Sequence, residues 1–288
     1  MNLKSKVSIS VCVLLVVSIG IYAQVPSAHS WDWGTHHFIT QNAIKLMPSS
    51  LSWFFDNYSG IIDNYCIMPD VWRSEGLETG YAHYYDYENS LEEHILDPSL
   101  GTLPWTVQDN FNEIVQALKE NEWSQAAIIM GAMAHYIEDA SMPLHATLNY
   151  NPNGNHVRYE AQVDSEISLD NVEIDVQGFV PQKLDNIFNS MMQLLQDSYS
   201  NSEELILYLQ YNTLWNSDIK ILTQNRLNTD IPLLADVWYS AFVQAGISAS
   251  PPSPQPSTHS TNYIPEIVGG VLAIAAIGIV ITLYTRRR

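Results

Sequence analysis

The chain has 288 residues with 31 acidic against 12 basic side chains, a formal net charge of −19. That balance argues against broad attraction to duplex nucleic acid, and no duplex partner is expected. The two cysteines, Cys12 and Cys66, are too few for a disulfide-stapled fold.

In chain order, Lys4 and Lys6 precede an apolar run from Val7 to Ala23, followed by a polar stretch ending Ala28-His29-Ser30. This is the order of a secretory signal peptide, residues 1–30, with Trp31 as the first mature residue. An uncleaved N-terminal anchor is the alternative. Trp33 to Met47 has a rough helical rhythm ended by Pro48, and Leu51 to Phe55 is a short apolar segment. Residues 66–104 read as loop-rich, because Pro69, Gly76, Gly80, Pro98, Gly101 and Pro104 interrupt any long period. Trp105 to Glu120 is an amphipathic helix with Phe111, Ile114, Val115 and Leu118 on one face.

From Ser124 to Ala140 the chain is nearly continuously apolar, which predicts a helix buried on most sides. His156 onward is a new helix, and Val172 to Val180 is β-prone. Helical stretches follow at Lys183 to Tyr199, Ser202 to Trp215 and Asp218 to Gly246, with Pro232 starting or kinking a helix in the last. Residues 247–263, rich in Ser, Pro and Thr, read as a stalk. Ile264 to Tyr284 has the length a bilayer needs, and Arg286-Arg287-Arg288 follows. The expectation is an all-α domain at 31–246, a membrane helix at 264–285 and a cytoplasmic tail at 286–288. The protein would be single-pass at the cell membrane with its domain outside. Residues 31–263 carry 30 acidic and 7 basic side chains, a formal charge of −23 that bound divalent cations would partly offset.

Histidine and carboxylate pairs recur through the domain. His135 and Asp139 stand four apart in the apolar helix and therefore share a face. Pro143 ends that helix and turns the chain, which can bring His145 back to the same region. An ionised Asp in so dry a helix is costly unless paired or metal-bound, and imidazole with carboxylate is a zinc-type donor set. His156 and Glu160 repeat the spacing. Asp70 follows Pro69, His83 sits in an aromatic run, and His36 lies close behind Trp31. Several such pairs in one small domain point to a multinuclear metal centre rather than buried hydrogen-bonded pairs.

These motifs resemble the zinc-dependent phospholipase C superfamily, which also holds fungal single-strand-specific nucleases. The most specific is His-x3-Asp-x5-His with a proline two before the last His, matched by His135, Asp139, Pro143 and His145. The resemblance covers roughly Trp31 to Glu160 and implies an all-α fold with three zinc ions. One ion would take Asp70, His83, His135 and Asp139, and a second His145, His156 and Glu160. A third would take His36, Asp139 and the amino nitrogen and carbonyl oxygen of Trp31, so that Asp139 bridges. Asp70 could also orient or deprotonate the attacking water, as the catalytic residue.

The implied activity is phosphodiester hydrolysis, with a phospholipid as the favoured substrate and single-stranded nucleic acid as the alternative. Glu160 resembles the phospholipase branch; the short Trp31-to-His36 spacing and the run His83-Tyr84-Tyr85-Asp86 resemble the nuclease branch. Gly34 stands where the phospholipase branch carries a glutamate for choline, which puts choline preference in doubt. His37 reads as surface or packing, and His94 as part of a solvated face. Tyr81, Tyr84, Tyr85 and Tyr87 read equally as stacking groups or wall packing. Arg158 reads as a phosphate contact or as the partner of a carboxylate. Cys66 reads as a small buried hydrophobe.

Overall fold

The computed structural model describes residues 31–247 except His94. The expected signal peptide, the stalk beyond Ile247, the membrane helix and the tail lie outside the described residues, as does His94. Ten α-helices make up the described chain: α1 (Trp33–Leu46), α2 (Ser52–Tyr65), α3 (Met68–Ser74), α4 (Tyr87–Glu93), α5 (Leu103–Glu120), α6 (Trp123–Ser141), α7 (His156–Ser168), α8 (Ile187–Ser200), α9 (Ser202–Gln210) and α10 (Ser217–Ala245). Among the described residues there is no β-strand. Nor is any described helix long and apolar enough to cross a membrane.

Helix α6 is the axis of the fold. Every residue from Ile129 to Ser141 is buried, because α5, α2, α10 and α8 all pack around it. Gly131 allows the closest approach: a Cβ there would lie 2.4 Å from the Ile62 carbonyl oxygen and 2.6 Å from Tyr65 Cβ. The missing side chain lets α2 lie directly on α6. Met142 leaves helical geometry, and Pro143–Ala146 forms a 3-10 turn at the end of α6.

The 66–104 region departs from the loop-rich expectation. Pro69 opens α3 instead of breaking it, since proline at the first helical positions gives up an N–H that has no intrahelical partner. Asp70 therefore sits in the first turn of a helix. The Ser202–Trp215 stretch stops at Gln210, where Asn212 turns with a positive φ of 58°. Helix α10 runs unbroken through Pro232, opened by the Asn216 side chain accepting from the Asp218 and Ile219 N–H groups.

The β-prone piece Val172 to Val180 is not a strand. It belongs to an extended segment lying along α10, which has no second strand to pair with. Side chains of α10 take its backbone donors instead: Gln224 accepts from Glu173 N (3.1 Å), Asn228 from Asp175 N (2.7 Å), Asp236 from Gln182 N (2.6 Å) and Ser240 from Leu184 N (2.8 Å). Helical spacing thus stands in for a sheet ladder.

Candidate metal centre

Helix α6 carries His135 and Asp139 one turn apart, both fully buried. The 3-10 turn Gly80–His83 brings His83 against them: its Nδ1 lies 3.0 Å from Asp139 Oδ2 and 3.1 Å from His135 Nε2. Asp70, from the first turn of α3, places Oδ1 3.9 Å from both His83 Nδ1 and His135 Nε2. On the other side of Asp139, His36 of α1 directs Nε2 to Asp139 Oδ1 at 4.0 Å. The His36 and His135 rings stack with centroids 4.2 Å apart. Asp139 therefore straddles two donor groups, one oxygen toward each. The donor atoms of Asp70, His83 and His135 form one tight group, and those of His36, His135 and Asp139 another.

A third group adjoins them. The turn after α6 brings in His145, and α7 brings in its first residue His156 and, one turn on, Glu160, with His156 Nε2 2.7 Å from Glu160 Oε1. His145 Nδ1 donates to the His83 carbonyl at 2.6 Å and lies 3.9 Å from Asp139 Oδ2. All eight side chains picked out in the sequence thus meet in one region. Trp31, the ninth residue, is fully buried beside them, its indole N–H donating to the Glu138 carbonyl at 2.9 Å.

Supporting contacts aim the imidazoles. His135 Nδ1 donates to the Cys66 carbonyl (2.8 Å), leaving Nε2 for the centre. His36 Nδ1 meets Glu138 Oε2 at 2.5 Å, and Thr40 Oγ1 donates to Glu138 Oε1 at 2.7 Å. Such outer contacts select the tautomer and hold the ring. Burial chiefly pushes His83, His145 and His156 down to about 3, and lowers His36 and His135 too, so the rings are neutral donors. Burial, with the Asp70 carboxylate next, raises Asp139 well above the usual carboxylate range.

This donor set fits divalent metal. His36 Nε2 and Asp139 Oδ1 are buried without a hydrogen-bond partner. They face each other across a gap too wide for a hydrogen bond and narrow enough to reach one ion at about 2.0–2.2 Å. Neutral imidazoles beside carboxylates that burial would otherwise neutralise are the donors zinc prefers, and bound cations would offset the repulsion among Asp70, Asp139 and Glu160.

A cavity of about 510 Å³ opens onto His83, His145 and His156, lined also by Arg73, Tyr84, Asp86, Leu148 and Tyr150. The four tyrosines divide. Tyr85 and Tyr87 are buried in the core, with Tyr85 donating to Ser90 Oγ. Tyr81 and Tyr84 are exposed and lie with ring centroids 5.7 Å apart. Arg158 is exposed and donates to Asn155 Oδ1 at 2.5 Å. The guanidinium lining the cavity is that of Arg73, 3.0 Å from Asp70 Oδ1. His37 points away from His36, to Asp63. Cys66 is buried, as expected. Gly34 faces the Asp164 carboxylate, whose oxygens lie 2.6 Å from where a Cβ would stand.

Sequence reasoning missed Glu138, Arg73 and Glu78. Glu138 had a signal: a second carboxylate next to Asp139 in an otherwise apolar helix. Arg73 follows Asp70 at helical i+3 spacing, which is visible only once α3 is known to be a helix. Glu78 accepts from Tyr136 OH (2.8 Å) and lies 3.6 Å from His83 Nε2, a tertiary meeting without a local signature.

A described domain that is helical throughout and encloses clustered imidazole and carboxylate donors defines the class. Residues 35–223 match the model of the zinc dependent phospholipase C family, and the chain belongs to that family. It is also similar to a phospholipase C of Paraclostridium bifermentans, 24% identical over 202 residues. The match covers 62% of this chain and 49% of that protein, so the chain spans about half the length of the curated relative.

Proposed function

We propose that the protein is a zinc-dependent phosphoric diester hydrolase that cleaves phospholipids on the glycerol side of the phosphate. The observation that carries this reading is the clustering of eight imidazole and carboxylate side chains, three of which, His83, His145 and His156, line a cavity whose mouth is partly apolar, with Leu148 and Tyr150 exposed at 59% and 54%. Family membership and the similar phospholipase C support the same chemistry.

Three ions would be held: one by Asp70, His83, His135 and Asp139; one by His145, His156 and Glu160; one by His36, Asp139 and the backbone of Trp31. Zinc in such a site supplies Lewis acidity and lowers the pKa of water. The chain's own groups do the rest. Arg73 lies at the cavity wall, where its charge suits a phosphate oxygen. Asp70, its Oδ1 beside Arg73 and near His83 and His135, would orient the attacking water and take its proton. Leu144 and Tyr84 exclude bulk water and offer an apolar wall for the glycerol end of a lipid, with Leu148 at the mouth.

On this reading the domain lies outside the cell and is tethered by the apolar run Ile264 to Tyr284, with the terminal arginines cytoplasmic. A second reading, cleavage of single-stranded nucleic acid, is favoured by the exposed Tyr81 and Tyr84 pair, which could stack a base. The test is a zinc-loaded full chain assayed on phosphatidylcholine and phosphatidylethanolamine vesicles and on single-stranded DNA and RNA. Release of phosphorylated head group with nucleic acid intact is the expected result. Nucleotide release with lipid intact would transfer the protein to the second reading. Bound zinc with neither product would overturn both.

A further inference from the structure

We propose that His37, Asp63 and Cys66 form a further divalent-metal site, distinct from the main centre, that takes a zinc-like ion through imidazole, carboxylate and thiolate. Their donor atoms all lie within 4.8 Å of one another. His37 Nδ1 is 2.9 Å from Asp63 Oδ1 and 3.6 Å from Cys66 Sγ. Tetrahedral zinc, with bonds of about 2.1 Å to nitrogen and about 2.3 Å to sulfur, would separate those two atoms by about 3.6 Å. The spacing between imidazole and sulfur is therefore already that of a shared ion.

The surroundings fit an open three-ligand site. His37 and Asp63 side chains are 31% and 26% exposed, which leaves an entry path and a fourth position for water. Cys66 closes the inner side, fully buried. Gln41 Nε2 donates to both Asp63 oxygens, at 3.3 and 3.2 Å, and so holds the carboxylate in place. Without metal the Cys66 thiol donates to the Asp63 carbonyl at 2.9 Å. Binding breaks that S–H bond, releases the proton to solvent and puts the thiolate on the ion. Because the metal-free arrangement is internally hydrogen-bonded, occupancy can be reversible.

The site stands back to back with the main centre. His37 follows His36 on α1, and the Cys66 carbonyl accepts from His135 Nδ1. An ion there would clamp α1 to the end of α2 and hold the carbonyl that aims His135.

Cobalt(II) titration of the full chain in detergent tests this. The main centre offers nitrogen and oxygen only, so a thiolate-to-cobalt charge-transfer band in the near ultraviolet reads the further site whatever the main centre's occupancy. A Cys12→Ser background removes the other cysteine. A saturable sulfur band is expected, abolished by Cys66→Ser and weakened about tenfold or more in cobalt affinity by His37→Gln and by Asp63→Asn. Those two side chains are partly exposed, so they serve as the test if Cys66→Ser fails to fold by circular dichroism. Absence of the band in folded protein at millimolar cobalt would overturn the proposal. So would a band that His37→Gln and Asp63→Asn leave unchanged.

Discussion

Glu138 Oε2 lies 2.5 Å from His36 Nδ1, with both side chains fully buried. The two residues sit 102 positions apart, on α6 and α1. Their contact fixes the face that His36 turns to Asp139. Neighbouring residues on one helix therefore take different tasks, Glu138 holding a ring and Asp139 facing the donor groups.

Glu138→Gln keeps the shape of this contact and removes its charge. Zinc affinity of the His36 position is expected to fall about 10-fold or more, as for other carboxylate–imidazole–metal arrangements. Zinc retained per chain after dialysis against a graded chelator series reads this. Retention equal to wild type across the series would show that Glu138 does not orient His36.

Acid sensitivity of the metal-free protein follows from the buried imidazoles. His83, His145 and His156 are pushed down to about 3, from an unfolded value near 6.5. Below about pH 6.5 the unfolded state therefore binds more protons than the folded state. Their contribution to stability is whole above that pH and is lost progressively as pH falls toward about 3. Asp139 works in the opposite direction, since a raised carboxyl pKa contributes stability at low pH that is lost as pH rises. A single-site comparison separates the two. Urea unfolding of stripped wild type and His156→Gln between about pH 7 and pH 4 should differ in slope by about 1.4 kcal/mol per pH unit at 25 °C. Parallel slopes would rule out a depressed His156.

Leu148 and Tyr150 stand exposed at the cavity mouth. If they meet a lipid surface, Leu148→Asp should raise KM on vesicles about tenfold, the effect of losing roughly 1.4 kcal/mol of apolar burial. Hydrolysis of a monomeric short-chain phospholipid should be unchanged. Equal losses on both substrates would make Leu148 a part of the cavity rather than of a docking rim.

Gly131→Ala tests the seat of the centre. The added Cβ would meet the Ile62 carbonyl and Tyr65 Cβ inside ordinary contact distance, so α2 must shift. Overpacking of this kind costs about 1–3 kcal/mol, against which the helix preference for alanine returns about 1. A lower melting temperature is expected together with weaker zinc binding, because α2 is capped by Cys66, whose carbonyl holds His135. A variant as stable as wild type would show that α2 and α6 have slack here.

Local rules carried the sequence a long way. The pairs His135 with Asp139 and His156 with Glu160 are set by helical pitch, and both share a face as their spacing requires. Helix α6 could be placed within a residue at each end, because an apolar run bounded by Pro143 leaves little choice. The short helix carrying Asp70 was hidden by its own proline, which ends one helix but begins another. The Val172 to Val180 segment has strand composition, yet whether such a segment finds a second strand or a row of helix side chains depends on what folds beside it.

What the sequence by itself determined was the helical class and the buried helix, which follow from periodicity and spacing; it also picked out eight imidazole and carboxylate residues, by spacing and by family resemblance, whose side chains the structure brings together. Only the tertiary structure decided that His83 meets Asp139 across 56 positions, that Glu138 rather than solvent holds His36, and that Arg73 rather than Arg158 lines the cavity. Those meetings are set by how α1, α3 and the Gly80–His83 turn pack on α6, and helix packing is a property of whole surfaces that no local spacing encodes.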